Sequence, residues 1–212
     1  MKRQKEILSV FIIVAFVGLI GLVRWAKTQR ARDTVSPATV SKTLGHPDAP
    51  VHIIEYSDFQ CSACAKGQGI LKEFLAREAD RIFLEFRYFL IEEIHPQAFR
   101  SAVYAECAAR QKYFWPFHDL LFSAQTEWSR AGEGGETYFK AYARSSGLDM
   151  GQLEACVQDS AVESAIEREI VEARFRGVSA TPTFFINGKM VIGTTALRNA
   201  LTQLFPGSDG DT

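Results

Sequence analysis

The 212-residue chain predicts an α/β domain whose strands are divided into two groups by a helical insertion, with an apolar segment ahead of it. Three observations carry this. An apolar run, Val51-His52-Ile53-Ile54-Glu55-Tyr56, precedes Cys61-Ser62-Ala63-Cys64, and a helical stretch runs from Ala65 to about Ala79. Far along the chain, Thr183–Ile186 and Lys189–Ile192 flank Asn187-Gly188, the strongest short hairpin signal there is. Between these halves, residues 96 to 176 carry helical spacing and helix caps. The order is therefore β-α-β, several helices, then β-β-α, with no internal repeat.

The elements follow in order. Ile7 to Val23 is apolar except for Ser9 and two glycines, at the short end of what crosses a bilayer as a helix. Lys2, Arg3 and Lys5 precede it, and no small-x-small cleavage site follows, so residues 1–27 are expected to be an uncleaved signal anchor. Trp25 suits the membrane interface. Cleavage, leaving a secreted protein, is the alternative. Both flanks are basic, so charge does not orient the segment; the cysteine chemistry below, which needs an oxidising side, places the domain outside. Residues 28–43 form a polar linker, with a short edge strand expected near Ala38–Val40. The domain spans 44–205, opening with a turn-rich stretch that leads into the strand 51–56. A second strand covers Ile82–Phe89. Pro96 opens a helix that contains Cys107. A short helix covers 114–122, and Gly132–Gly135 form a loop. Three further helices run over 136–146, 149–158 and 160–175, the second capped by Asp149. After the hairpin, a helix from Thr195 to Phe205 closes the domain, and 206–212 is a polar tail.

Composition narrows the function. Apolar residues make up 47% and Phe counts 16, enough for a substantial core. The net charge of −1 divides into +5 over residues 1–33 and −6 over the rest. A basic end beside an acidic domain fits contact with a lipid surface at one end. Nucleic-acid binding has little support, because no basic patch interleaved with aromatics lies in the acidic part. The four cysteines, an even count behind a membrane-targeting segment, fit an oxidising compartment.

A strand, a short turn, two cysteines and a helix put Cys61 at or just before a helix N-terminus. Unpaired backbone N–H groups and the helix dipole stabilise a thiolate there. Cys64 then lies one turn further in, within reach of a mixed disulfide on Cys61. The pair suits thiol–disulfide exchange. Half of a zinc site, inert buried thiols and a structural disulfide are the competing readings.

The CxxC after a strand, Thr181-Pro182-Thr183 before a hairpin, and the helical insert together resemble the thioredoxin-fold family of DsbA-like disulfide oxidoreductases. The nearest branch has one thioredoxin domain, one helical insert and an N-terminal membrane anchor. The matching stretches are Leu44–Val51, Glu55–Cys64, Ile94–Ala98, Cys107 to Phe122 and Gly177 to Gly188. The resemblance implies a thioredoxin fold with the insert between its βαβ and ββα halves. It implies that Cys61 is the nucleophile and Cys64 the resolving cysteine. It makes Thr181-Pro182 a cis-proline loop facing them, where a client backbone pairs. Glu55 matches a buried acid that relays protons to Cys64; a solvent-facing Glu55 is the alternative. Cys107 and Cys156 match a structural disulfide, with two free thiols as the alternative. His95 matches a family His-Pro and reads as a helix-start or packing residue. Phe114, Trp115, Phe117 and Phe122 read as core of the insert, some of them lining an apolar groove near the site.

Two positions depart from the family. Ser62-Ala63 offers neither a histidine nor a proline, so the Cys61 thiolate is expected to depend mainly on the helix N-terminus, making a milder oxidant. Tyr88-Phe89-Leu90 stands where relatives carry a proline. The implied activity is dithiol oxidation of exported protein thiols at the extracytoplasmic face of the cytoplasmic membrane, with tethering through residues 7–23. A quinone-linked oxidase or reductase in the membrane would reset the pair. No metal or organic cofactor is needed, because the two cysteines carry the electrons. A reductase or isomerase kept reduced by a membrane partner is the rival within the same chemistry. A membrane-tethered binding or assembly module with structural or metal-holding cysteines is the rival outside it.

Overall fold

The computed structural model describes residues 42–207. The expected anchor over residues 7–23 and the edge strand near 38–40 lie outside them. Among the described residues, no helix is long and apolar enough to cross a membrane.

Five strands form one mixed sheet. They are β1 (Thr43–Leu44), β2 (Val51–Ser57), β3 (Ile82–Tyr88), β4 (Thr183–Ile186) and β5 (Lys189–Ile192), in the order β1-β3-β2-β4-β5. β2 and β3 are parallel, joined through helix α1 (Ser62–Glu78); the other neighbours are antiparallel. The hairpin turns where Asn187 and Gly188 both adopt positive φ, 47° and 81°. Asn187 Oδ1 also accepts the His52 N–H at 2.8 Å, tying the turn to β2.

The insert comprises α2 (Ala98–Arg110), α3 (Phe114–Ser123), α4 (Gln125–Trp128), α5 (Gly135–Ser145), α6 (Met150–Cys156) and α7 (Ser160–Phe175); α8 (Thr194–Leu204) closes the chain. Asp149 caps α6 by accepting Gln152 N–H, and Asp159 caps α7 through Ala161 N–H, each at 2.9 Å. The disulfide between Cys107 and Cys156 joins α2 to α6, with Cα atoms 5.8 Å apart.

One sheet face serves two cores. The first halves of β2 and β3 send Val51, Ile53, Ile82 and Leu84 against Ile70, Leu71 and Phe74 of α1 and Leu197 and Leu201 of α8. Further along, Phe86 and Tyr88 pack with the insert, through Phe114, Phe117 and Phe122. Burying each such aromatic is worth roughly 1.5–3 kcal/mol. The end of β2, which leads into the cysteines, thereby lies where the two cores meet.

Several boundaries differ from expectation. The folded domain begins before residue 44: Lys42 is buried, its Nζ 2.7 Å from Glu169 and 3.2 Å from Glu106, and it lies over the Tyr88 ring. A lysine in a polar stretch reads as linker until those carboxylates are placed around it. Helix α1 starts at Ser62 rather than Ala65, so Cys64 already lies in its first turn. Pro96 does not open α2; it sits in a turn, and the helix starts at Ala98, whose N–H bonds to His95 O. Helix α4 was not expected from the sequence, being four residues long.

Candidate active site

The site forms where β2 ends and α1 begins. Cys61 is the N-cap residue of α1 and is 8% exposed, whereas Cys64 is fully buried. Both are free thiols. The loop between strand and helix is held from within by Asp58. Its buried carboxylate accepts the N–H groups of Gln60 (2.8 Å) and Ile91 (3.1 Å) and pairs with His95 Nδ1 at 2.8 Å. The insert holds the same loop from outside. Gln125 Nε2 donates to Phe59 O (2.7 Å) and Cys61 O (3.0 Å), and Gln97 N–H donates to Gln60 Oε1 at 2.7 Å. Phe59 is fully buried and stacks on Phe86 with centroids 5.2 Å apart.

These supports fix the direction of the Cys61 sulfur. Across from it, the Thr181–Pro182 peptide bond is cis, and Cys61 Sγ lies 3.7 Å from Thr181 O. The Cys61 thiol is lowered to about 5. The largest cause is the hydrogen bond from the Cys64 thiol; the Thr181 side chain and the N–H groups of Cys64 and Ala63 add to it. The N–H groups at the helix N-terminus and the neighbouring Cys64 thiol therefore both favour the thiolate. Burial pushes Cys64 well above the ordinary thiol value, and the charge on Cys61 pushes it further.

Glu55 lies on β2 against α1, the helix that carries Cys64. Alternation along β2 puts it on the face of Val51 and Ile53, so it points into the protein and is fully buried. Gln68 Nε2, from α1, donates to Glu55 Oε2 at 2.6 Å. Burial raises the carboxyl to about 7, opposed in part by Ser57 and Gln68.

The structure thus brings together Cys61, Cys64, Glu55, Thr181 and Pro182. Cys107 and Cys156 lie within the insert, joined to each other. Phe114, Phe117 and Phe122 are buried in the core of the insert, and Trp115 is half-buried, its Nε1 donating to Thr43 O at 2.9 Å. Sequence reasoning missed Asp58, Gln60, Gln97 and Gln125, and it gave His95 no partner. Only Asp58 left a local trace, the Asp-x-Gln spacing of a side-chain-to-backbone turn. Among the described residues, no group of three or more His, Cys, Asp or Glu is arranged to hold a metal ion.

A cysteine pair at a helix start, opposed by a cis-proline loop on a β2-α-β3/β4-β5 sheet, defines a thioredoxin-fold dithiol site. The chain belongs to the thioredoxin family, whose model matches residues 38–203. Among solved structures it is similar to Wolbachia pipientis alpha-DsbA1, with a TM-score of 0.67 and 21% identity, covering 79% of this chain and 92% of that one. A thioredoxin-like oxidoreductase from Silicibacter pomeroyi DSS-3 gives 0.64 and 23%, covering 82% and 96%. Oxidised BdbD from Bacillus subtilis gives 0.63 and 19%, covering 78% and 92%. Curated relatives carry a different name. A Na(+)/H(+) antiporter NhaA 1 of Mycolicibacterium gilvum is 36% identical over 149 residues, 68% of this chain and 23% of that protein. The NhaA 1 of Salinispora arenicola is 33% identical over 167 residues, 77% and 24%. The chain spans about a quarter of the length of these relatives.

Proposed function

We propose that this chain is a DsbA-like thiol:disulfide oxidoreductase working outside the cytoplasm as a dithiol oxidase of exported proteins. One observation carries the reading: the two sulfurs are opposite in character. Cys61 is a thiolate near neutral pH, with a value of about 5, while Cys64 is a buried thiol held protonated. Among CxxC proteins, values of about 3.5 accompany strong oxidants and about 7 accompany thioredoxin. Stabilising the reduced form in this way makes the disulfide a better electron acceptor.

The reaction follows from this asymmetry. In the oxidised protein, a client thiolate attacks Cys61 Sγ. The Cys61–Cys64 bond breaks, a client–Cys61 bond forms, and Cys64 leaves as a thiolate that takes up a proton. A second client thiolate attacks the client sulfur of this mixed disulfide and releases Cys61 as its stabilised thiolate. The client is oxidised by two electrons, and the pair is left reduced. A quinone-linked membrane oxidase then takes those electrons. The Thr181-Pro182 loop, opposite Cys61, is the place for the client backbone. Residues 7–23 tether the domain to the outer face of the cytoplasmic membrane.

The test is the reduction potential of Cys61–Cys64 in the full chain in detergent, equilibrated with glutathione. A value between about −120 and −180 mV supports the oxidase. A value near about −270 mV overturns it and makes a reductase the better reading.

A further inference from the structure

Thiol–disulfide exchange needs a proton to leave Cys64 or return to it, and Cys64 is fully buried. Glu55 is the buried acid on β2, yet its one direct hydrogen bond goes to Gln68, through Oε2. The other oxygen, Oε1, is buried without a direct partner. So is Ser57 Oγ. Two unpartnered oxygens this deep are costly unless something uses them.

The backbone sets them in line. Glu55 and Ser57 are two residues apart on β2, so both side chains stand on the same buried face. Cys64 and Gln68 are four apart on α1, so they lie one above the other on one helix face. Gln68 is anchored on Glu55. One helical turn toward the helix N-terminus, Cys64 therefore comes over Ser57, further along the strand. The Ser57 hydroxyl, which makes no hydrogen bond in this structure, lies close enough to favour the ionised forms of both Glu55 and Cys64. Across the sheet, Glu55 faces Phe86 on β3 and Phe184 on β4, which do not titrate, and Ser57 faces Tyr88 on β3, whose phenol burial, with Glu106 and Glu169, holds protonated. From α1, the titratable groups facing this row are Cys64 and, through it, Cys61; Gln68 is neutral.

We infer that the Ser57 hydroxyl is the proton conductor between Cys64 and Glu55. The inference rests on reading Glu55 as the proton carrier. When Cys64 resolves a mixed disulfide on Cys61, its S–H proton passes to Ser57 Oγ while the Ser57 O–H proton passes to the Glu55 carboxylate. The Cys64 thiolate attacks Cys61 Sγ, the Cys61–Cys64 bond forms, and the other thiolate departs with the electron pair of the broken bond. In the opening direction the same two protons run back, and Cys64 leaves protonated. The mixed disulfide also removes the Cys61 charge that holds the Cys64 proton in place, which lowers the cost of the transfer.

The reduced full chain, mixed with dithionitrobenzoate, separates the two thiols in time. Cys61 releases the first thionitrobenzoate, and Cys64 releases the second by resolving the adduct. In the native protein the second phase is expected to rise with pH through an inflection near 7, where Glu55 ionises. Ser57→Ala is expected to leave the first phase unchanged, to slow the second at least about tenfold at neutral pH, and to abolish its inflection. The unchanged first phase certifies the fold. If Ser57→Ala disturbs it, the pair Ser57→Thr and Ser57→Val carries the test, because the two match in shape and only threonine keeps the hydroxyl: threonine is expected to keep the inflection and valine to lose it, and an inflection kept in both overturns the inference. A Ser57→Ala second phase within about twofold of native, inflection intact, overturns the inference. So does a Ser57→Thr protein with a normal first phase and no inflection. Glu55→Gln tells the two failures apart: an inflection that survives it overturns the Glu55 reading itself. An inflection lost in Glu55→Gln but kept in Ser57→Ala sinks the Ser57 role alone.

Discussion

Replacing Glu55 with glutamine is expected to stabilise the reduced protein at alkaline pH and to do little in acid. The carboxyl sits at about 7 in the folded chain against an ordinary 4.5, because burial disfavours its charge. A carboxyl raised on folding binds its proton more tightly in the native state. The penalty is therefore absent below the unfolded value of 4.5, grows as pH rises towards 7, and is constant above. Each unit is worth about 1.4 kcal/mol, so the full penalty is about 3 kcal/mol. Glutamine keeps the shape, stays neutral at every pH, and offers Gln68 a carbonyl in place of the carboxylate oxygen. Cys61 and Cys64 also titrate, but they do so in both proteins and cancel in the difference. The assay is urea unfolding of the full chain in detergent and reductant at pH 4 and pH 8, followed by the fluorescence of the fully buried Trp128. The stability gap between Glu55→Gln and native is expected to widen by about 3 kcal/mol between those pH values. A gap that stays flat within about 1 kcal/mol refutes the buried, titrating Glu55.

Two other perturbations probe the remaining parts of the site. Thr181→Val removes the hydroxyl that helps hold the Cys61 thiolate, and is expected to raise the thiolate midpoint from about 5 by about one unit, read by ultraviolet thiolate absorbance. An unmoved midpoint would take Thr181 out of the thiolate's environment. The double change Cys107→Ala/Cys156→Ala opens a link between residues 49 apart. It is expected to cost about 4 kcal/mol in urea unfolding while leaving the first phase of dithionitrobenzoate release from Cys61 unaltered; a slowed first phase would tie the insert disulfide to the reacting pair.

What the sequence determined was whatever short-range chemistry dictates. Asn187-Gly188 specified the hairpin because both positions tolerate positive φ. Asp149 marked the start of its helix because its side chain reaches Gln152 N–H. The Cys61-Ser62-Ala63-Cys64 spacing announced a dithiol on a helix, and the resemblance pointed to the facing Thr181-Pro182 and the buried acid. Tertiary structure decided the rest. Glu55 could have faced water until β2 was paired on both sides, with β3 and β4, and its inner face covered by α1. Lys42 lay in a polar stretch until Glu106 and Glu169, from two helices of the insert, closed on it. Gln125 holds the carbonyls of Phe59 and Cys61, more than sixty residues away in the chain. Hydrogen bonds of that span leave no periodicity or local motif, because either partner by itself is an ordinary polar residue. Only the packing of the insert against the strand ends gives each of them its role.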